Sequence, residues 1–347
     1  MWRSRIRIAR ELPVYVIAEI GVNHDGDPDR AIELTEAAAD AGANAVKLQH
    51  FVTDRLMSRA AKLAAYQRAA GETDPIAMLR RLELPPYDMA RVVARAHELD
   101  IAELVTVFSV ELVGVAASMG FDAWKSASPD VVNKPLLRAY ALSEMPIIVS
   151  TGAAELDEVT RAAGWLEPAR DRLAMLQCVS SYPAPEDALG GIPAIERATG
   201  LPVGYSDHTE SIDTGRLAVE AGAVLLERHI THDRGARGPD HAASLEPREF
   251  AEYTRRAKEA AFVGSPAPRK TVLECERDVR TVARQSIVAT RDLPEGHLLT
   301  RDDLTIKRPG TGLGAWWLDE AIGARTSEAI DADTPITEPH IAMRTDA

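Results

Sequence analysis

Cysteine is nearly missing from this chain. Cys178 and Cys275 are the only two in 347 residues. They make no CxxC pair and no disulfide framework, which excludes a stapled secreted scaffold and points to a reducing, cytoplasmic setting. Net positive charge is missing as well. The chain has 40 Lys and Arg against 53 Asp and Glu, a formal balance of −13. A field of that sign excludes nucleic acid and anionic membranes as partners of the whole surface. Any anionic substrate must be met by a local cluster of Lys or Arg. No apolar run approaches the ~18 residues of a membrane span. The N-terminal MWRSRIRIAREL is basic but has no apolar core segment, so it does not read as a signal peptide. Internal repeats and low-complexity tracts are also lacking.

What is present is regular alternation. Residues 14–20 (VYVIAEI) form a β-prone run ending near Glu19 and are followed by the turn-rich GVNHDGD. Residues 29–41 have helical periodicity and close on Gly42. The next strand, 44–49 (NAVKLQ), carries Lys47 and Gln49 at its end. After a long connection over 53–84, helix and strand alternate. Helices are expected at 87–99, 110–119, 134–142, 156–166, 193–199 and 212–221. Strands are expected at 102–109, 123–128, 146–151, 173–180, 202–208 and 224–229, with a closing helix at 247–262. Roughly eight βα units in about 260 residues is the arithmetic of a (β/α)8 TIM barrel. The runner-up, a doubly wound open sheet, calls for a Gly-rich phosphate turn after the first strand. GVNHDGD does not match GxGxxG.

The reading divides the chain into a barrel over 1–264, a Pro-containing charged linker over 265–283, and a small β-rich domain over 284–347. A domain that small has little core of its own and is expected to pack against something.

In a barrel the polar residues at the C-terminal strand ends build the site. Here those ends offer Glu19, Lys47, Gln49, Thr106, Lys125, Ser128, Ser150, Tyr182, His208 and His229. The last two follow consecutive strands joined by a helix. Parallel strands in a βαβ unit bring such positions side by side. Two imidazoles with Asp207, Glu227 and Asp240 close by suit a divalent metal such as Mn, Zn or Fe. Two structural histidines are the alternative. Glu19, the first acidic group inside the ring, is the natural general acid or base.

These residues sit in segments that resemble the sialic acid synthase family, phosphoenolpyruvate-condensing N-acetylneuraminate synthases. The matching stretches are IAEIGVNHDGD, AGANAVKLQ, VFS, STG, YP, GYSDHT, ERHIT, GPDHAASLEP and KRPGTGL. They run over nearly the whole length, and the tail is similar to the antifreeze-like (SAF) domain of these synthases. The resemblance implies that a divalent metal on His208 and His229, Mn²⁺ with Mg²⁺ or Co²⁺ as alternatives, polarises the aldehyde of an open-chain N-acylated amino sugar. C3 of phosphoenolpyruvate attacks that carbon, water adds at C2, and phosphate leaves. It also implies that Lys47, Thr106, Lys125, Ser128, Ser150 and Tyr182 contact phosphoenolpyruvate. Gln49 and Asp240 would contact the sugar, and Glu19 would move protons. Arg308 of KRPG would reach the sugar in trans, within a domain-swapped homodimer. N-acetylmannosamine is the default acceptor, with a legionaminate- or pseudaminate-type precursor or another aldose as alternatives.

Three departures stand out. Ser128-Pro129-Asp130 replaces the usual Ser-Gly-Glu, His50 stands where a small hydroxyl residue is common, and residues 72–78 lack the polar pattern expected of a sugar-facing loop. A non-catalytic carbohydrate-binding relative and an ice-binding tail are the readings from other classes. The retained Glu19, lysines and histidines speak against the first, and the charged tail speaks against the second.

Overall fold

The computed structural model describes residues 5–6, 8, 11–186, 188–264 and 266–342. Most of the N-terminal basic run and the last five residues therefore lie outside the described residues. Eight parallel strands close into a barrel in sequence order: β1 (Tyr15–Gly21), β2 (Ala45–His50), β3 (Ala102–Val107), β4 (Ala123–Ser126), β5 (Ile147–Ser150), β6 (Leu173–Cys178), β7 (Val203–Asp207) and β8 (Leu225–His229). β8 pairs back on β1, Tyr15 opposite Leu225 and Glu19 opposite His229. The TIM barrel expected from the alternation is the architecture found.

Side chains alternate across each strand, so the barrel has two cores. Outward residues such as Val16, Val46, Val105 and Tyr205 pack beneath the surrounding helices. Inward residues at the strand starts, among them Tyr15, Ile17, Ala45, Leu104, Ala174 and Leu225, form a separate apolar cluster joined by Ile6 and Ile8. The chain ahead of β1 thus plugs the base of the barrel.

The helices lie within a few residues of the ranges expected: α1 (Pro28–Asp40), α5 (Pro86–Glu98), α6 (Val110–Ser118), α7 (Lys134–Ala141), α8 (Leu156–Trp165), α9 (Gly191–Thr199), α10 (Thr214–Glu220) and α11 (Pro247–Glu259). The Asp27 side chain caps α1 by accepting from the amide of Asp29 at 2.9 Å. The long connection after β2 folds into three short helices, α2 (Thr53–Leu56), α3 (Ala65–Ala69) and α4 (Pro75–Leu82). The apolar residues of α2 and α4 gather with Val22, Phe51 and Phe108 into a cluster over the barrel mouth.

The stretch read as a linker is not a free tether. It contains α12 (Arg277–Ala283) and lies bonded to the loops after β5 and β6. Beyond it, β9 (Ser286–Ala289) pairs with β10 (Leu304–Lys307) around a core that includes Ile287, Leu293, Leu304 and Ile336. A short helix, α13 (Leu318–Ala321), and a second small pair, β11 (Arg325–Thr326) with β12 (Ile341–Ala342), complete the domain. The Arg308 amide donates to Leu56 O at 3.0 Å, and its carbonyl accepts from the Ser58 amide at 3.1 Å. The small domain therefore rests on the mouth of its own barrel.

Candidate active site

Inward positions two residues apart build the site from consecutive strands. Glu19 lies opposite Lys47 on one side and His229 on the other, Gln49 opposite Thr106, Thr106 opposite Lys125, and Ser206 opposite Glu227. Together they floor a pocket of about 160 Å³ at the C-terminal end of the barrel. Glu19, Lys47, Gln49, Lys125, Ser128, Ser150, Tyr182, His208, His229, Asp240 and Arg308 all line it. Thr106 does not. Its hydroxyl accepts from Lys47 Nζ at 3.1 Å, so it holds the lysine from behind.

Gly21 makes this convergence possible. Its φ of +57° suits glycine, and a Cβ there would stand 2.9 Å from Glu19 Oε1 and 3.1 Å from Gln49 Nε2.

The floor is a buried charge network. Lys47 Nζ lies 2.9 Å from Glu19 Oε2 and 3.4 Å from Glu227 Oε2, and Lys125 Nζ lies 3.3 Å from Glu227 Oε1. Ser206 donates to Glu227 Oε1 at 2.9 Å. Burial alone would favour neutral forms throughout. For Glu227, Lys125 and Lys47 overcome burial and hold the carboxyl well below its usual range. For Glu19, burial wins with help from Glu227, against Lys47, and its pKa is raised. Burial lowers Lys125, whereas Lys47 is raised because Glu19 and Glu227 outweigh its burial. One carboxylate thus carries the charge that balances the lysines, and its neighbour is poised to hold a proton. Burial and Glu19 also push Asp240 up to about 7.

The two imidazoles are 5.6 Å apart between ring centroids. Burial and the neighbouring cations hold His229 well below its usual pKa, hence neutral, and its Nδ1 is buried without a hydrogen-bond partner. Asp240 Oδ2 lies 3.9 Å from that nitrogen. His208 Nδ1 pairs with Val179 O at 2.8 Å, which turns Nε2 toward Tyr182 Oη at 3.2 Å. Burial works against charge on His208, but Cys178, the Val179 carbonyl and Glu227 outweigh it and raise its pKa. Two inward nitrogens, one of them an orphan, suit a borderline divalent ion. No group of three or more His, Cys, Asp and Glu suited to a metal occurs among the described residues, so these two would be the main protein ligands.

Beside the lysines lies a cradle of hydroxyls. Ser128 Oγ donates to Ser150 Oγ at 2.9 Å and accepts from the Gly152 amide at 3.0 Å. A Cβ on Gly152 would fall 2.1 Å from Ser180 Oγ and 2.8 Å from Ser128 Oγ, so glycine lets the three serines crowd together. The opposite wall is apolar: Val22, Phe51, Leu56, Met78, Leu79, Leu82 and Phe108. Arg308 reaches this side with its guanidinium 5.4 Å above the Phe108 ring, and its Nε is buried without a partner. Arg308 thus lines the pocket of its own chain, where the docked linker carries the small domain back over the barrel mouth.

Ser206 and Glu227 line the pocket, where sequence reading did not select Ser206 and placed Glu227 only beside the histidines; Ser180, just past the end of β6, lines it as well. A signal for two of them was present. Ser206 and Glu227 stand two positions before His208 and His229, and residues i and i−2 share a strand face.

The same fold recurs in known proteins. The model of the NeuB family matches residues 34–264, and that of the SAF domain matches 284–342. The chain is 35% identical to an N,N'-diacetyllegionaminic acid synthase of Legionella pneumophila over 336 residues, covering 94% of each. It is also 35% identical to the N-acetylneuraminate-9-phosphate synthase of Homo sapiens, over 85% of this chain and 83% of that one. The crystal structure of the spore coat polysaccharide biosynthesis protein spsE of Bacillus subtilis superposes with a TM-score of 0.81 at 29% identity, covering 97% of both chains. With the family model matched over most of the barrel and the second over the tail, this chain belongs to the NeuB family.

Proposed function

We propose that the chain joins phosphoenolpyruvate to the aldehyde carbon of an open-chain N-acylated amino sugar, releasing phosphate and forming a nonulosonic acid. One observation carries this reading. Two lysines, three carboxylates, two histidines and four serines from the mouth of a single barrel converge on one pocket in a chain that is otherwise acidic. Lys47 and Lys125 would bind the carboxylate of phosphoenolpyruvate, and the cradle of Ser128, Ser150 and Ser180 would take its phosphate. Glu19 would hold the proton that passes to or from the reacting oxygens. Gln49, Asp240 and Arg308 would orient the sugar, with Tyr182 closing over the enolpyruvate. His208 and His229 would hold a divalent ion, Mn²⁺ foremost, which when bound supplies Lewis-acid polarisation of the aldehyde.

Two acceptors compete. N-acetylmannosamine is the default. The apolar wall opposite the lysines favours a sugar whose far end is itself apolar, such as a 6-deoxy di-N-acetyl sugar. The names of the relatives include products of both kinds. Phosphate release from phosphoenolpyruvate, followed with Mn²⁺ against a panel of N-acyl amino sugars and plain aldoses, tests the reaction and ranks the acceptors. Release with an amino sugar, abolished in His208→Ala and by chelation, is expected. No release with any sugar from folded protein would overturn the proposal.

A homodimer that exchanges its small domains would make the Arg308 contacts from the neighbouring copy. Mixing His208→Ala and Arg308→Ala proteins distinguishes the two arrangements. Restored turnover means that Arg308 acts in trans, and none means that it acts in cis as seen here.

A further inference from the structure

The segment between the domains carries a carboxylate buried as deeply as any in the barrel. Glu276, immediately before α12, is fully buried. Its Oε1 accepts from the amides of Ala153 at 2.6 Å and Ser180 at 2.8 Å, and its Oε2 from the amide of Leu273 at 2.9 Å. The first two amides belong to different loops, one after β5 and one after β6. They are also the loops that carry Ser150, Gly152 and Ser180. Ala153 sits at φ +51°, a conformation uncommon for a residue with a Cβ and one that needs outside support.

Arg280 and Arg284 add a clamp on the same loop. Both pair with Glu158, and both also donate to Ala153 O, Arg284 at 3.1 Å. Glu276 itself does not line the pocket; it stands behind the loops. α12 does reach the pocket, through Val279 and Ala283.

We infer that Glu276 is a positioning residue that sets the spacing of the β5 and β6 loops, and so shapes the serine cradle for a phosphate group. The argument is geometric. A cradle of three hydroxyls discriminates only if their separation is fixed to within a fraction of an ångström. The barrel ladder holds Ser150 opposite Leu176 and ends with the Thr151 amide on Leu176 O at 3.1 Å, short of Gly152 and Ser180. One carboxylate oxygen shared by two amides ties the loops beyond that point, and charged acceptors make the stronger bonds of this kind. The inference rests on the reading that the cradle takes the phosphate of phosphoenolpyruvate.

The test uses the full chain with Glu276→Ala, Glu276→Gln and Glu276→Asp, and Glu155→Gln as comparator. Glu155 closes the β5 loop and its side chain holds the same linker through Thr271 and Val272, but it bonds neither the Ala153 nor the Ser180 amide. Two quantities are read: KM for phosphoenolpyruvate against KM for the sugar, and the Kd of inorganic phosphate by calorimetry, which needs no turnover. Glu276→Ala is expected to raise the phosphoenolpyruvate KM and the phosphate Kd about tenfold or more, with the sugar KM within about twofold. Glu276→Gln keeps an acceptor for both amides and should recover most of the affinity. Glu276→Asp is too short and should not, and it gives the answer if the alanine variant does not fold. Glu155→Gln should leave both quantities unchanged. Equal rises in both KM values, or a phosphate Kd unmoved in Glu276→Ala and Glu276→Asp, would overturn the inference. Wild-type protein that binds phosphate through Glu276 but never turns over phosphoenolpyruvate would overturn the proposed reaction and leave this inference standing.

Discussion

The two halves of the same eight strands are built to opposite rules. At the base, inward positions are Tyr15, Ile17, Ala45, Ala102, Leu104, Ala123, Ile148, Ala174, Leu176 and Leu225, a cluster with no charge. One step further along the strands they become Glu19, Lys47, Thr106, Lys125, Ser150, Ser206, Glu227 and His229. Both halves are equally dry: Lys125 is 2% exposed and Leu176 is fully buried. Burial is therefore not what distinguishes a site from a core. The base stabilises by removing apolar area from water. The mouth contributes little net stability, because each buried charge costs several kcal/mol that its partners only offset. The mouth is kept for what it does, and the base lets it be kept.

Substitution on either side of that step should separate the two roles. Glu227→Gln removes the charge that balances Lys47 and Lys125. It should abolish measurable turnover and also destabilise the fold by roughly 3–5 kcal/mol, since the buried Lys125 loses its carboxylate partner and Lys47 loses one of two. Leu176→Ala, at the base of the neighbouring sheet region, should cost a comparable 2–5 kcal/mol through a cavity while leaving kcat/KM of the folded protein within about twofold. Denaturant melts beside steady-state kinetics give both numbers. A Glu227→Gln protein as stable as wild type would mean that the lysines are not both charged, and the account of the mouth would fail.

How much of this was legible in the sequence follows from the same contrast. The alternation of strand and helix is local, so the barrel could be read directly, and the strand-end residues with it. The period of two that put Lys47 with Gln49 also pointed to Ser206, and a stricter use of it would have found that serine and set Glu227 in the floor beside the lysines. The docking of the linker was not legible for a different reason. Glu276 and Arg280 look like solvated charges in a Pro-containing stretch, and Arg284 looks like one at the start of the small domain. Their partners Ala153, Glu158 and Ser180 lie about a hundred or more residues earlier, and no local pattern announces such pairs.

A smaller effect sharpens the contrast at the linker itself. Glu158 meets Arg280 and Arg284 at 2.8 Å. Burial pushes its carboxyl up, but the two guanidinium groups outweigh this and hold it at about 2, against an ordinary 4.5. A depressed carboxylate stabilises above its unfolded pKa and loses that contribution as pH falls toward its folded value. Wild type should therefore melt above Glu158→Gln at pH 6, by an amount on the order of 1–2 kcal/mol after solvent screening at the partly open Arg280. The gap should close between pH 4.5 and 2. A gap independent of pH would show that the pair does not hold the linker through its charge.

The smallest expected effect concerns Pro129, which lines the pocket beside Ser128 where the family pattern has glycine. Proline offers no N–H, so Pro129→Gly would add one donor near the cradle. A neutral hydrogen bond nets about 0.5–1.5 kcal/mol, and the freedom of a new glycine costs about 0.5–1 kcal/mol. The two nearly cancel. The Ser128 and Ser150 hydroxyls are already bonded to each other, with the Gly152 amide fixing Ser128, so no vacant role waits for the new donor. The phosphoenolpyruvate KM of Pro129→Gly is expected within about threefold of wild type. A drop of tenfold or more would mean that the serines alone do not complete the phosphate contact, and that the proline weakens phosphoenolpyruvate binding in this chain while leaving the chemistry in place.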